Sequence, residues 1–378
     1  MSRSRFALSL LMLSSLTSFI SLEPLSADPI ERIELLPPSP GNPRNSEGDF
    51  IELKDGRLLF IYTHYTDGAA DHSTAYLASR TSTDGGATWS DESLKVIENT
   101  ADQNIMSVSL LRLPDDTIAL FYLHKNSLKD CRPVVRFSKD ETAPWSDPVT
   151  IIPDSDIDYY VLNNDRVIQL KSGRLIMAVA QHTSQTEKFN AYGHMVCYYS
   201  DDQGHTWIRS AGVPDADLVN GREIYQHEPG LIELNDGRVM MVIRTSGGTQ
   251  YFAYSEDKGI TWTQMKPGNL PSPVSPATIE RISQTGDLVC VWNNHTDISS
   301  ELVGKRTPLT LAISKDEGKS WKVIGNLYDN PHGWYCYIAM EFVGDHIVLG
   351  HCGGDRRQNN GLAQTNITRV PLSWVYAE

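Results

Sequence analysis

The alternation of apolar and polar positions along the chain describes short strands, with no convincing helical period. One complete unit lies between Glu228 and Trp262. There the apolar run LIEL meets the turn tetrad NDGR and is followed by a second apolar run, VMMVIRT. Two apolar runs joined by a tight Asp-Gly turn predict an antiparallel hairpin. A third alternating run, QYFAYS, then enters SEDKGITW, where Asp257 and Gly259 supply turn chemistry, Thr261 suits a local backbone bond and Trp262 is a large apolar anchor.

Both halves of this unit recur. The hairpin half appears as IELKDGRLLFIYTH, LLRLPDDTIALFYLH, VIQLKSGRLIMAVAQH, LIELNDGRVMMVIRT, RISQTGDLVCVWNNH and MEFVGDHIVLGHC. The second half, an Asp-box, appears as STDGGATW from Ser82, SDDQGHTW from Ser200, SEDKGITW from Ser255 and SKDEGKSW from Ser314. A worn fifth copy, SKDETAPW from Ser138, has Thr142 in place of the glycine and Pro144 in place of the threonine. Successive copies start 55 to 62 residues apart, a period that suits a blade of four strands. Six hairpins with five boxes predict an all-β fold, a six-bladed β-propeller of four-stranded antiparallel blades. Strands from both ends of the chain, near residues 30–36 and 368–376, would close its last blade.

In such a blade both tight turns lie on one face of the disc, and the connections from strand 4 to 1 and from strand 2 to 3 lie on the other. The boxes therefore read as structural. Polar residues at the opposite strand ends converge on the axis: Arg44, Asp71, Glu228, Arg244, Arg306 and Tyr337. Asp67 is a near alternative to Asp71. Tyr335 lies two residues from Tyr337, so simple strand alternation aims both to the same side. His64, His124, His182, His295 and His351 recur just past the second strands and are expected as polar pocket lining, too dispersed to ligate one metal ion.

Composition adds an address and excludes one class of partner. Arg3 and Arg5 precede a short apolar, Ser-rich run, and Leu25-Ser26-Ala27 offers a cleavage site before Asp28. Residues 1–27 are thus expected to be a secretory signal rather than a membrane anchor, with 28–378 a single propeller domain and a secreted or periplasmic product without a membrane span. The net charge of −14 and the lack of a Lys/Arg cluster argue against nucleic acid. Five cysteines are widely spaced and show no disulfide framework. Cys336 and Cys352, on neighbouring predicted strands, suit either a pair or two small apolar fillers.

With these boxes, hairpins and polar residues in this order, the chain resembles the bacterial Asp-box sialidases (neuraminidases) over essentially its whole mature length. The resemblance implies a three-arginine clamp for a sugar carboxylate (Arg44, Arg244, Arg306), an acid/base aspartate (Asp71), and a tyrosine nucleophile (Tyr337) with a glutamate base (Glu228). It implies no cofactor. The first arginine stands in Arg44-Asn45-Ser46 rather than in the family's Arg-Ile-Pro string, which leaves the sugar acid open. Guanidinium forks match a carboxylate. That same carboxylate would repel an anionic nucleophile, and sialidases are recognised exceptions to the two-carboxylate pattern of glycosidases. The pKa of Glu228 is expected to rise by desolvation beside the tyrosine. The implied activity is retaining exo-sialidase hydrolysis of a sialylated glycan or other acidic sugar. The alternatives are a non-catalytic propeller that only binds acidic sugars and a propeller used for protein contacts.

Overall fold

The structure is a computed structural model that describes residues 29–184, 186 and 188–377. The signal expected over residues 1–27 lies outside them. Six antiparallel sheets form the six blades of a β-propeller. Blade 1 runs Arg44–Glu52, Leu58–Tyr65, Ala75–Ser82 and Leu94–Ile97 from the axis outward, and blade 2 runs Asn104–Arg112, Ile118–Ser127, Asp130–Ser138 and Val149–Thr150. In blade 3 the inner strand is split into Tyr160–Val161 and Val167–Gln169. Its remaining strands are Leu175–Gln181, His194–Ser200 and Ile208–Arg209. Blade 4 begins with Gln226–Glu233 and Val239–Thr245, blade 5 with Thr278–Arg281 and Leu288–Trp292.

Blade 6 closes the ring. Gly333–Val343, His346–Asp355 and Thr365–Pro371 are followed outward by Glu31–Leu36, which pairs antiparallel to Thr365–Pro371. The C-terminal strand thus lies earlier than the span 368–376. Pro371 cannot donate to a further rung, and Leu372–Val375 form one helical turn.

The four well-formed boxes share one hydrogen-bond pattern. In the third, Ser255 Oγ donates to Asp257 Oδ1 at 2.8 Å and accepts from Gly259 N at 2.8 Å. Asp257 also accepts from Thr261 N at 2.8 Å and Thr261 Oγ1 at 2.6 Å. The aspartate satisfies turn donors that would otherwise need water. Gly259 has φ 87°, and a Cβ there would sit 2.0 Å from Ile176 of the preceding blade, so backbone conformation and blade packing both require glycine. In the worn copy Ser138 Oγ has no partner among the described residues, whereas the serine of each intact box accepts from the glycine N–H.

The hydrophobic core lies between blades. Ile176, Ala178 and Cys197 of blade 3 pack on Val239, Met241 and Trp262 of blade 4. Each large buried side chain contributes about 1.5–3 kcal/mol, which fixes neighbouring blades and hence the positions of their inner strands. Among the described residues no helix is long and apolar enough to cross a membrane.

Candidate active site

Four inner strands break register where they pass the axis. Pairing shifts between Ser46 and Asp49 in blade 1, Met106 and Ser109 in blade 2, His227 and Gly230 in blade 4, and Cys336 and Ala339 in blade 6. Within these bulges Glu47, Ser107, Glu228 and Tyr337 adopt left-handed backbone conformations, with φ of 55°, 61°, 41° and 57°. A bulge re-aims a side chain, and such conformations cost on the order of 1–3 kcal/mol each outside glycine. All four side chains line one cavity of about 370 Å³ on the axis. Strain concentrated on one pocket marks it as the candidate site.

Five of the six sequence-predicted residues, Asp71, Glu228, Arg244, Arg306 and Tyr337, line this cavity. Arg44 lies behind it, 1% exposed. Its Nη1 donates to Asp71 Oδ1 at 2.5 Å, its Nη2 to Glu47 Oε1 at 3.2 Å and its Nε to Ser46 Oγ at 3.0 Å. None of the box aspartates reaches the cavity.

The tyrosine ambiguity resolves through the bulge. Tyr335 and Tyr337 do not share a side, because the extra residue after Cys336 interrupts the alternation. Tyr335 is 4% exposed and packs on Tyr328 at 4.8 Å, away from the cavity. Tyr337 OH donates to Glu228 Oε1 at 3.3 Å, and Arg244 Nη1 donates to Glu228 Oε2 at 2.6 Å. The Arg306 guanidinium stands 5.3 Å from the Tyr337 ring centroid and 5.1 Å from that of Trp334. Asp67 is exposed and does not reach the cavity.

Electrostatics corrects one expectation. Burial alone would raise the Glu228 pKa, but Arg244 and Arg306 outweigh it and hold the carboxyl below its ordinary range. Burial and the charge of Glu228 push the Tyr337 phenol up, despite both arginines. The resting pair is therefore a carboxylate facing a neutral phenol. Partial desolvation favours a protonated Asp71, whose side chain is still 59% exposed, yet Arg44 overrides it and lowers the pKa. Nη1 of Arg306 and Nε of Arg244 are buried without a partner among the described residues.

The five recurrent histidines do not line the cavity. His351 is buried and bonded to Cys352 O and Thr368 Oγ1, while His64 stacks on Tyr76 at 4.5 Å. The cavity histidines are His72, beside Asp71, and His227, beside Glu228. Cys336 and Cys352 face each other across blade 6 as free buried thiols.

Sequence reasoning also missed Glu47 and Lys125. Lys125, fully buried, donates from Nζ to Asp71 O at 2.9 Å, and Asn104 Nδ2 donates to the same oxygen at 2.9 Å, fixing the Asp71 loop. Its signal was a lysine at the end of an otherwise apolar second strand. Glu47 signals itself only as an acid three residues beyond Arg44.

A second cavity, about 410 Å³, occupies the other end of the axis. Asn164, donating to Gly48 O at 2.9 Å and Tyr337 O at 3.2 Å, packs on the backbone of the bulged strands. Asp49, Asp165, Glu280 and Glu341 line that lower space around Arg166. Burial pushes Glu341 up to about 7 and Asp165 to about 6, the latter against the pull of Arg166.

Residues 98–348 match the family of BNR repeat-like domains. A sialidase of Micromonospora viridifaciens is 27% identical over 304 residues, covering 71% of this chain but 44% of that protein, so the chain spans less than half the length of that relative. Among solved structures, a Dyadobacter fermentans protein of unknown function superposes with a TM-score of 0.72 at 17% identity, over 91% of this chain and 100% of the other. Trypanosoma rangeli sialidase in complex with sialic acid superposes at 0.68 with 15% identity, over 91% of this chain and 59% of the other. From the family match and the six blades, the chain belongs to the BNR repeat-like family as a sialidase-like propeller.

Proposed function

We propose that the protein is a secreted or periplasmic retaining exo-sialidase, which hydrolyses a terminal sialic acid or related nonulosonic acid from glycans. The observation that carries this reading is the Tyr337–Glu228 hydrogen bond flanked by two arginines with unused buried donors. A binding module needs the arginines. It has no use for a phenol held against a carboxylate.

The substrate carboxylate enters against Arg306 and Arg244 and competes with Asp71 for Arg44. Each exchange changes a proton affinity in the useful direction. Drawing Arg244 from Glu228 raises the basicity of Glu228, and drawing Arg44 from Asp71 raises its pKa so that it carries a proton. The Tyr337 proton then passes to Glu228 as the phenolic oxygen bonds to the anomeric carbon. The glycosidic C–O bond breaks, and Asp71 protonates the leaving oxygen. In the second half-reaction Asp71 removes a proton from water, whose oxygen attacks the anomeric carbon. The Tyr337–carbon bond breaks, and Glu228 returns the proton to the phenolate. Two inversions give net retention.

A fluorogenic aryl sialoside followed by NMR tests the reading, with release of the α-anomer of the free sugar acid expected first. The β-anomer first would contradict retention. Saturable binding without release would make the protein a binding module.

Glu47 gives a pH signature. Burial pushes its carboxyl up to about 7 although Arg44 pulls the other way, and Asp71 and Glu228 add to the rise. Above that pH the group loses its proton and opposes the substrate carboxylate. KM is expected to rise by up to about tenfold from pH 6 to pH 8, as the protonated fraction falls, and to stay flat in Glu47→Gln. A parallel rise in the variant would remove Glu47 from the effect.

A further inference from the structure

The inner strand of blade 3 breaks between Tyr160–Val161 and Val167–Gln169, and the run Asn163–Arg166 lies in the gap, at the axis. Asn163 lines the catalytic cavity, Asp165 and Arg166 line the lower one, and Asn164, fully buried, lines neither. The run is therefore a partition between the two cavities.

The same run reaches all four bulges. A bulge leaves backbone groups without a rung in their own hairpin, and inside a fold those groups need partners from elsewhere. In blade 6 the carbonyl of Tyr337 accepts from Asn164 Nδ2 at 3.2 Å, that of Ile338 accepts from Thr278 Oγ1 of blade 5 at 2.7 Å, and the N–H of Met340 donates to Asp165 Oδ2 at 3.0 Å. In blade 1 Gly48 O accepts from the same Asn164 Nδ2 at 2.9 Å. In blade 2 Val108 O accepts from Asp165 N at 3.0 Å, and Ser109 Oγ accepts from Arg166 N at 2.9 Å. In blade 4 the Arg166 side chain passes so close that a Cβ on Gly230 would stand 3.3 Å from its Cδ, and its Nη1 reaches on to Thr278 Oγ1 at 3.2 Å.

We infer that Asn163–Arg166 is the element that sets the geometry of the reacting groups, with Asn164 the positioning residue for Tyr337. Both partners of its side chain are carbonyls, so the amide nitrogen must face them, and one NH2 group spans the bulges that carry Glu47 and Tyr337. A carboxylate or an apolar side chain of the same shape cannot take its place. Tyr337 holds a left-handed backbone at φ 57°, a conformation that persists only where its surroundings over-determine it. The bonds to the carbonyls of Tyr337 and Ile338 supply that constraint, and through it the phenol stays within reach of Glu228 Oε1. The inference rests on the sialidase reading and adds to it a residue that never touches the sugar.

Asn164→Ala and Thr278→Val in the full chain test it, with Val289→Ala, in the core between blades 5 and 6, as a stability control. On an aryl sialoside kcat is expected to fall about 10- to 100-fold in Asn164→Ala and about three- to tenfold in Thr278→Val, since a misplacement of about 1 Å costs up to about 100-fold. Affinity for the unsaturated sialic acid analogue is expected to stay within about threefold, because Arg244 and Arg306 stand outside the bulges. Val289→Ala is expected to lower Tm by opening a cavity and to keep kcat within about twofold. An unchanged kcat in Asn164→Ala, an equal fall in Val289→Ala, or a loss that runs through affinity alone would overturn the positioning role while leaving the sialidase reading intact. Thr278→Val, which keeps the shape of the side chain, carries the test by the same outcomes if Asn164→Ala does not fold. If the wild type hydrolyses no sialoside, that reading fails, and crystal structures of the variants decide the positioning role alone. A Tyr337 hydroxyl moved beyond hydrogen-bond reach of Glu228 Oε1 would support it, and an unmoved one would overturn it.

Discussion

Tyr337→Phe is expected to abolish turnover of sialosides, with kcat down by at least about 10³-fold, while sugar-acid binding and thermal stability stay close to wild type. The change removes one oxygen, which donates to Glu228 Oε1 at 3.3 Å. The ring remains beside Arg306, so packing and the field around the clamp are kept. Tyr335→Phe is the matched control. It is expected to retain activity within a few fold, because Tyr335 is buried against Tyr328 and does not reach the cavity. Steady-state kinetics of the two variants, with calorimetric titration of an unreactive sugar-acid analogue, separates the roles. Equal losses in both would mean a packing defect in blade 6 instead of a lost nucleophile.

Arg306→Lys is expected to weaken binding of the unsaturated sialic acid analogue by about 10- to 100-fold. A hydrogen bond to a charged group contributes about 1.5–3 kcal/mol, and an ammonium cannot present a planar fork. Arg306 is 7% exposed and its Nη1 has no partner among the described residues, so its donors are already desolvated before a ligand arrives. Arg244 differs in that part of its guanidinium is committed to Glu228. The same substitution at Arg244 should therefore lower kcat as well as affinity. Calorimetry on both variants checks this. Unchanged affinity in Arg306→Lys would take that arginine out of the clamp.

The architecture was legible because its signals are local and repeated. A turn tetrad between two apolar runs states a hairpin, and a Ser-Asp-Gly-Trp string states a box whose hydrogen bonds lie within eight residues. Six repetitions in phase fix the number of blades. The end of the last blade was less legible because nothing in the Thr365–Pro371 sequence says where pairing to Glu31–Leu36 begins.

The pocket was legible in its charged members and not in its geometry. Arginines and acids at strand ends announce themselves. A bulge is a property of two paired strands, so the shift between Cys336 and Ala339 that parts Tyr335 from Tyr337 leaves no mark in WYCYIAMEF. Glu47 escaped for the same reason: an even alternation from Arg44 gives no cause to aim it at the axis. Glu228 was expected to be raised by burial, because the contribution of Arg244 and Arg306 depends on distances that sequence spacing does not supply.

The most direct test of the proposed chemistry is covalent trapping. A 2,3-difluorinated sialic acid applied to this protein, followed by peptide mapping, locates its nucleophile. The account predicts one added sugar per chain on the peptide that carries Tyr337, absent from Tyr337→Phe. An adduct on Tyr335 or any other residue, or no adduct in a protein that still hydrolyses sialosides, would contradict it.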